Sequence, residues 1–155
     1  MTKCRNLIRQ MTYITMMKFL EHLGEASLRN VDSRQRLYHV IRERPLKKKH
    51  VARISFKLGL QQKETAELIG VSVRTYQRQK STTPITNAAS ENVLKLAELF
   101  QLGLNAFDND EKALASWLNS PIPALSNETP IHMLSSSLGI DLVKEELLRI
   151  EYGIY

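Results

Sequence analysis

Several side chains in one short stretch of the chain are suited to contact nucleic acid. They lie within residues 61–80, QQKETAELIGVSVRTYQRQK. Arginine and glutamine can hydrogen-bond to base edges in the major groove of DNA, and lysine can neutralise phosphates. The candidate DNA-binding residues of this stretch are Ser72, Arg74, Thr75, Gln77, Arg78 and Lys80.

The same stretch has the pattern of two short helices joined by a tight turn, a helix-turn-helix. The first helix has one inward face, made by Thr65, Ala66 and Ile69. Gly70 tolerates the positive φ that the turn needs, and Val71 points inward. Ser72 is a good N-cap for a second helix over residues 73–79, which would enter the major groove.

The residue types that most often catalyse reactions or bind metals are present, but they are not arranged for either role. The histidines and the single cysteine are His22, His39, His50, His132 and Cys4. None of these histidines has the spacing to other ligands that a metal site needs. Glu145 and Glu146 are adjacent on a predicted helix, so they point in different directions and cannot act as an acid–base pair. We therefore expect no enzymatic activity, no bound metal and no cofactor.

The charge of the chain is divided unevenly along its length. The net charge is +6, but residues 1–83 carry 18 Lys and Arg against 6 Asp and Glu. Residues 84–155 carry 4 against 10, so the two parts have net charges of +12 and −6. This division predicts a basic domain that faces nucleic acid and an acidic domain with a different partner, with a boundary between residues 83 and 84.

Composition limits the cellular setting that we expect. One cysteine cannot form an internal disulfide, so nothing indicates an oxidising compartment. No apolar run approaches the roughly 20 residues of a membrane span. The first 20 residues lack the apolar core and cleavage site of a signal peptide. We expect a cytoplasmic protein without a membrane partner.

Apolar spacing predicts helices throughout the basic part of the chain. A Met-rich pattern predicts a first helix that ends at Gly24 and that serves either as core or as a dimer contact. Asp32 or Ser33 can cap a second helix, which Pro45 stops. A third helix runs to Gly59, with Val51, Ile54, Phe56 and Leu58 expected to face inward. Before it, the basic run of residues 47–49 is either a solvated face or a phosphate contact.

The acidic part also has helical spacing, and no alternation with period two appears. Residues 81–87 are expected to form a hinge, followed from Ser90 by a long, largely buried helix. Later helices are expected over residues 111–118, from Thr129-Pro130, and from Gly139 or Asp141. The last is expected to bury Leu142, Val143, Leu147 and Ile150 and to end at Gly153. The predicted fold class is therefore all-α.

Two segments of the acidic part resemble the toxin-binding region of the Xre/MbcA/ParS antitoxin family. They are KALASWLNSPIPALSNETPIHML and the terminal LLRIEYGIY, within about residues 90–155. The matching residues are Trp117, Leu118, Pro121, Ala124, Leu125, Thr129, Pro130, Arg149, Ile150, Glu151, Tyr152, Gly153 and Tyr155. Ser126-Asn127 departs from the family's Gly-Gly turn, but asparagine tolerates the left-handed conformation.

The resemblance implies a type II antitoxin that acts on an NAD-consuming RES-domain toxin. Its C-terminal region would cover the toxin's active-site cleft, and its helix-turn-helix would repress its own operon as a homodimer bound to operator DNA. The residues that we expect to face the toxin are Arg149, Glu151, Tyr152 and Tyr155. Trp117, Leu118, Leu125 and Ile150 are expected in the core instead.

Two other classes of protein fit the same sequence. One is a stand-alone transcription regulator whose acidic half senses a signal or only dimerises. The other is a toxin-binding antitoxin whose helix-turn-helix serves dimerisation rather than DNA binding. The excess of basic residues in the first half favours DNA contact over this last alternative.

Overall fold

A computed structural model of the chain describes Val31 and residues 34–153. The described part is all-α, as predicted. It contains helices and isolated β-bridges, and none of these described residues forms a β-strand. Its helices are α1 (Arg34–Glu43), α2 (Lys48–Leu58), α3 (Gln62–Leu68), α4 (Val73–Arg78), α5 (Asn87–Ala106), α6 (Glu111–Leu118), α7 (Pro130–Met133) and α8 (Ser137–Tyr152). A 3-10 turn covers Pro123–Leu125. The predicted helix ending at Gly24, the proposed caps Asp32 and Ser33, and Tyr155 lie outside the described residues.

Helices α3 and α4 form the predicted helix-turn-helix. The inward face of Thr65, Ala66 and Ile69 is buried, as expected. Gly70 has a φ of 74°, the left-handed conformation in which a Cβ would be strained. Ser72 caps α4 as predicted, and the helix ends at Arg78, one residue earlier than expected.

Helix α5 is the central element of the fold, as its apolar pattern predicted. Ten of its twenty residues are buried, and it packs against α1, α2 and α8. The predicted start at Ser90 was wrong, because Thr86 caps the helix with its hydroxyl, which accepts a hydrogen bond from Ala89 N. Ser90 is fully buried instead, with its Oγ accepting from Leu46 N at 3.0 Å and donating to Thr86 O at 3.0 Å.

The segment predicted as a hinge, residues 81–87, is tied to the start of α2. Lys48 N and Lys49 N donate to the carbonyl oxygens of Thr83 and Ser81, each at 2.9 Å. Ile85 N donates to Leu46 O, and the Ile85 side chain is buried. The prediction of a hinge was therefore wrong, because these backbone groups hydrogen-bond to a segment distant in sequence.

The C-terminal elements follow the predicted order with one change of boundary. Asp110 caps α6, and Ser126 and Asn127 both adopt the left-handed conformation. Helix α8 begins at Ser137 with Ser136 as its cap, so the predicted start at Gly139 or Asp141 was late. A Cβ at Gly139 would lie 2.0 Å from Met133 O, which explains a glycine inside the first turn.

Two apolar residues expected in the core lie on the surface. Phe56 is 86% exposed and Leu142 is 39% exposed. In each case the neighbouring apolar residues of the helix fill the space towards the core, and these are Val51, Ile54 and Leu58 on α2 and Val143 and Leu147 on α8. Buried side chains from both parts of the chain form one continuous core. The domain boundary between residues 83 and 84 stays a prediction.

The buried Ser90 hydroxyl gives a test of how the two parts are held together. Ser90→Ala leaves the Leu46 N–H without its side-chain acceptor in a buried position, which we expect to lower the free energy of unfolding by about 1–3 kcal/mol. Urea denaturation followed by circular dichroism measures this. The control Ser116→Ala, at an exposed position of α6, should change it by less than about 0.5 kcal/mol. Equal effects in the two variants would contradict the role of Ser90.

Candidate functional site

The outward face of α4 carries most of the residues predicted to contact DNA. Arg74, Thr75, Gln77 and Arg78 are all exposed, and Lys80 is exposed just beyond the helix. Tyr76 is buried on the opposite side and anchors the helix to the core. Burial also raises the pKa of the Tyr76 hydroxyl. The structure therefore brings the predicted polar and basic groups together on one short exposed segment.

The two hydroxyl residues of the predicted set hydrogen-bond to each other. Ser72 Oγ accepts from Thr75 N at 3.1 Å and lies 2.9 Å from Thr75 Oγ1. These bonds satisfy a free N–H group at the start of α4 and fix the entry of the chain into the helix. The structure thus gives the Ser72 hydroxyl a capping role and pairs the Thr75 hydroxyl with it. Their contact with DNA stays a prediction.

The basic run of residues 47–49 is not a uniform solvated face. Lys48 Nζ donates to Gln79 O at 2.8 Å and lies 4.5 Å from the centre of the Tyr76 ring. Lys48 thereby holds the C-terminal end of α4, where free carbonyl groups favour a positive charge. One lysine of the run therefore supports the candidate DNA-contacting helix instead of reaching outward.

A residue that sequence reasoning missed joins the two helices at this surface. Gln62, the first residue of α3, is exposed, and its Oε1 accepts a hydrogen bond from Gln77 Nε2 at 2.8 Å. The two residues are 15 positions apart in the chain. Their contact depends on the crossing of α3 and α4, so no local sequence signal pointed to it.

A second candidate surface runs along α8. Exposed residues recur there at intervals of four and three positions, which places them on one side of the helix. They are Leu138, Leu142, Glu145, Arg149 and Tyr152, here called the α8 stripe. Its three large apolar members are 71%, 39% and 43% exposed in that order. Of these residues, Arg149 and Tyr152 were predicted from the sequence to face the toxin, whereas Leu142 was predicted to lie in the core.

The predicted toxin-facing residues differ in their exposure and in their hydrogen-bond partners. Arg149 is exposed, and its Nη1 donates to Glu146 Oε2 at 3.2 Å. Glu151 is half-buried, and its buried Oε2 finds no hydrogen-bond partner among the described residues. Burial raises the pKa of the Glu151 carboxyl. Burial and the neighbouring Glu151 charge raise the pKa of Tyr152. Tyr155 lies outside the described residues.

Polar contacts connect helices α2 and α3 to the C-terminal helices. His132 Nδ1 on α7 lies 3.2 Å from Glu64 Oε1 on α3, and Glu64 also accepts from Gln61 N at 2.8 Å. Lys57 on α2 pairs with Glu111 on α6 at 3.7 Å.

The described residues contain no group of three or more side chains that could hold a metal ion. None of the helices in residues 34–153 has the length and apolar character needed to cross a membrane.

The fold and these surfaces define a helix-turn-helix protein with an added helical unit that exposes an apolar stripe. A family model of the antitoxin Xre-like helix-turn-helix domain matches residues 36–98. A second model, of the antitoxin Xre/MbcA/ParS C-terminal toxin-binding domain, matches residues 102–153. The two matches follow one another along most of the described chain. The chain belongs to the Xre/MbcA/ParS antitoxin family.

Individual proteins also resemble this chain. Antitoxin Xre from Photorhabdus laumondii subsp. laumondii is 28% identical over 88 residues, which cover 56% of this chain and 60% of the relative. The match thus spans less than two thirds of that curated relative's length. A chain in the crystal structure of the M. tuberculosis MbcT-MbcA toxin-antitoxin complex matches with a TM-score of 0.49 and 16% identity. That match covers 70% of this chain and 96% of the other.

The half-buried Glu151 carboxyl predicts a dependence of stability on pH. Its pKa is raised on folding, so the folded state disfavours its charge, and stability is lost as the pH rises through that raised pKa. Glu151→Gln should therefore raise the free energy of unfolding at pH 7, and this gain should shrink as the pH falls towards that of an ordinary carboxyl, near ~4.3.

Urea denaturation of both proteins at several pH values between neutral and mildly acidic measures the difference. Glu145→Gln changes an exposed carboxyl on the same helix and is the control, expected to alter stability by less than about 0.5 kcal/mol. A gain for Glu151→Gln that is the same at every pH would contradict burial of the charge as its cause.

Proposed function

We propose that this protein is the antitoxin of a type II toxin-antitoxin pair and that it also represses its own operon. Its C-terminal region would cover the active-site cleft of a RES-domain, NAD-consuming toxin, as the family resemblance implies. Its helix-turn-helix would bind operator DNA as a homodimer in the cytoplasm. The observation that carries the proposal is the presence of two different exposed surfaces, polar and basic on α4 and largely apolar on α8, in one family member.

The composition of the α8 stripe supports toxin binding. Exposed apolar side chains grouped on one face commonly mark a protein interaction site. Tyr152 is a rigid amphipathic side chain of the kind enriched at interface centres, and Arg149 offers a planar fork for carboxylate or backbone groups. The acidic excess of residues 84–155 suits a cleft that is basic because it binds a dinucleotide.

The α4 surface supports DNA binding. Arg74 and Arg78 are one helical turn apart and exposed, so both can reach a groove from the same side of the helix. The basic excess of residues 1–83 supplies the charge that attracts phosphates. In a two-fold dimer, two α4 helices would contact half-sites one helical turn apart, or a multiple of it.

Arginine substitutions in α4 test the DNA-binding surface. We expect Arg74→Ala and Arg78→Ala each to weaken operator binding about tenfold, or to lower the dependence of log affinity on log salt by about one if the contact is to phosphate. Gel-shift titrations at several salt concentrations measure both quantities, with the DNA upstream of the gene as probe. Lys112→Ala, an exposed charge in the acidic half, is the control and should bind as the unchanged protein does. Unchanged affinity in both arginine variants would exclude α4 as the DNA-contacting helix.

Substitutions in the α8 stripe test toxin binding. The double change Leu138→Ser and Leu142→Ser removes exposed apolar surface without opening the core, so the protein should fold and still bind DNA. We expect that the double variant, and separately Tyr152→Ala, will fail to rescue cells arrested by the co-expressed toxin. Phe56→Ser removes an exposed apolar side chain from the basic half and should rescue fully. Full rescue by the stripe variants would contradict toxin contact through this face.

A co-expression pull-down with the product of the neighbouring gene separates this proposal from a stand-alone transcription regulator. Capture of a RES-type protein, abolished by the stripe variants and kept by Arg74→Ala, is the expected result. DNA binding without capture of any neighbouring product would favour the regulator.

A further inference from the structure

The hydrogen bond between Gln77 and Gln62 restricts which base the DNA-contacting helix can read. Gln77 is exposed on α4, three residues after Arg74 and next to Arg78. Its Nε2 donates to Gln62 Oε1 at 2.8 Å. A glutamine on a helix surface otherwise samples several rotamers, and this bond holds the planar amide in one orientation.

The chemistry of the amide determines what remains free for a ligand. A glutamine amide has one oxygen acceptor and two N–H donors. With one N–H donated to Gln62, Gln77 keeps its oxygen and its second N–H, an acceptor beside a donor. In the major groove, adenine presents the complementary pair, its N6 amino donor and its N7 acceptor. Guanine presents two acceptors there and cannot satisfy the free oxygen of Gln77.

The other exposed polar groups of α4 are less suited to this role. Thr75 is tied to the N-cap Ser72, and the arginines have only donors, which match guanine or phosphate. Gln62 lies at the first position of α3, next to the exposed Lys63. Gln77 thus has a partner on the other helix of the motif that sets the direction of its amide.

We propose that Gln62 is a positioning residue that fixes Gln77 to read one adenine in each operator half-site. The proposal rests on the proposed DNA binding and deepens it, because it assigns a base to one side chain. It also assigns a function to Gln62 without requiring that Gln62 touch a base.

The test compares base preference in matched variants of the full chain. Binding sites are first selected from random duplex DNA with the unchanged protein and with Gln77→Ala, which identifies the position that depends on Gln77. Affinities are then measured by gel shift at fixed salt for all four bases at that position, and for 7-deazaadenine, which lacks the N7 acceptor. The proteins are the unchanged chain, Gln62→Met, Gln62→Glu and Gln77→Ala.

The unchanged protein should prefer adenine at that position by about 5- to 150-fold and lose most of that preference with 7-deazaadenine. Gln62→Met keeps the length of the side chain but removes the acceptor, so the adenine preference should fall several-fold. Gln62→Glu retains an acceptor for Gln77 Nε2 and should keep the preference, although its negative charge weakens binding to every sequence. Lys63→Met is the control and should weaken all sequences equally.

An adenine preference unchanged in Gln62→Met would overturn the positioning role of Gln62. A preference for guanine at the position that depends on Gln77 would overturn the assigned orientation of the amide. Failure of the unchanged protein to bind any DNA would instead contradict the proposed function itself, so the two failures are distinguishable.

Discussion

Helix α5 has little surface that can be left to water, and the other elements are arranged to cover it. Its buried residues point in most directions around the axis, so one neighbouring helix could not shield them. Helices α1 and α2 pack against it from the basic part of the chain, and α8 packs against it from the acidic part. Two ion pairs border the contact with α8, Lys144–Glu98 at 2.5 Å and Lys95–Asp141 at 2.7 Å. Exposing the apolar surface of α5 to water would cost free energy. The elements that carry the α4 surface and the α8 stripe therefore stay packed on one common core.

Local patterns predicted the elements well, and tertiary contacts account for the errors. The turn at Gly70, the cap Ser72 and the end at Gly153 depend on residues next to them in sequence, and all were predicted correctly. Serine is a residue type that often caps helices, but the Ser90 hydroxyl accepts a hydrogen bond from Leu46 N, 44 residues away. Thr86, four residues earlier, was equally eligible by residue type, and only packing decides between them.

The candidate sites were predictable to the extent that their residues are local. The α4 residues follow from one short motif, and the arginines are exposed as that motif requires. Leu142 of the α8 stripe was placed in the core because hydrophobic periodicity alone does not distinguish a core face from a binding face. Gln62 was missed for a different reason. Its hydrogen bond with Gln77 joins two helices, and nothing in its immediate neighbours indicates that contact.

The pairing of residues 81–85 with the start of α2 has a consequence for synthesis on the ribosome. Helix α4 has six residues, too few to be stable alone, and it is held by segments on both sides of it in sequence. The segment that follows α4 is held at the start of α2 by the hydrogen bond from Ile85 N to Leu46 O, and Ser90 Oγ accepts from Leu46 N, so these contacts cannot all form until residue 90 has left the exit tunnel. In the nascent chain, the segment after α4 therefore cannot be fixed in place until part of α5 has emerged, and full burial of α5 waits for α8.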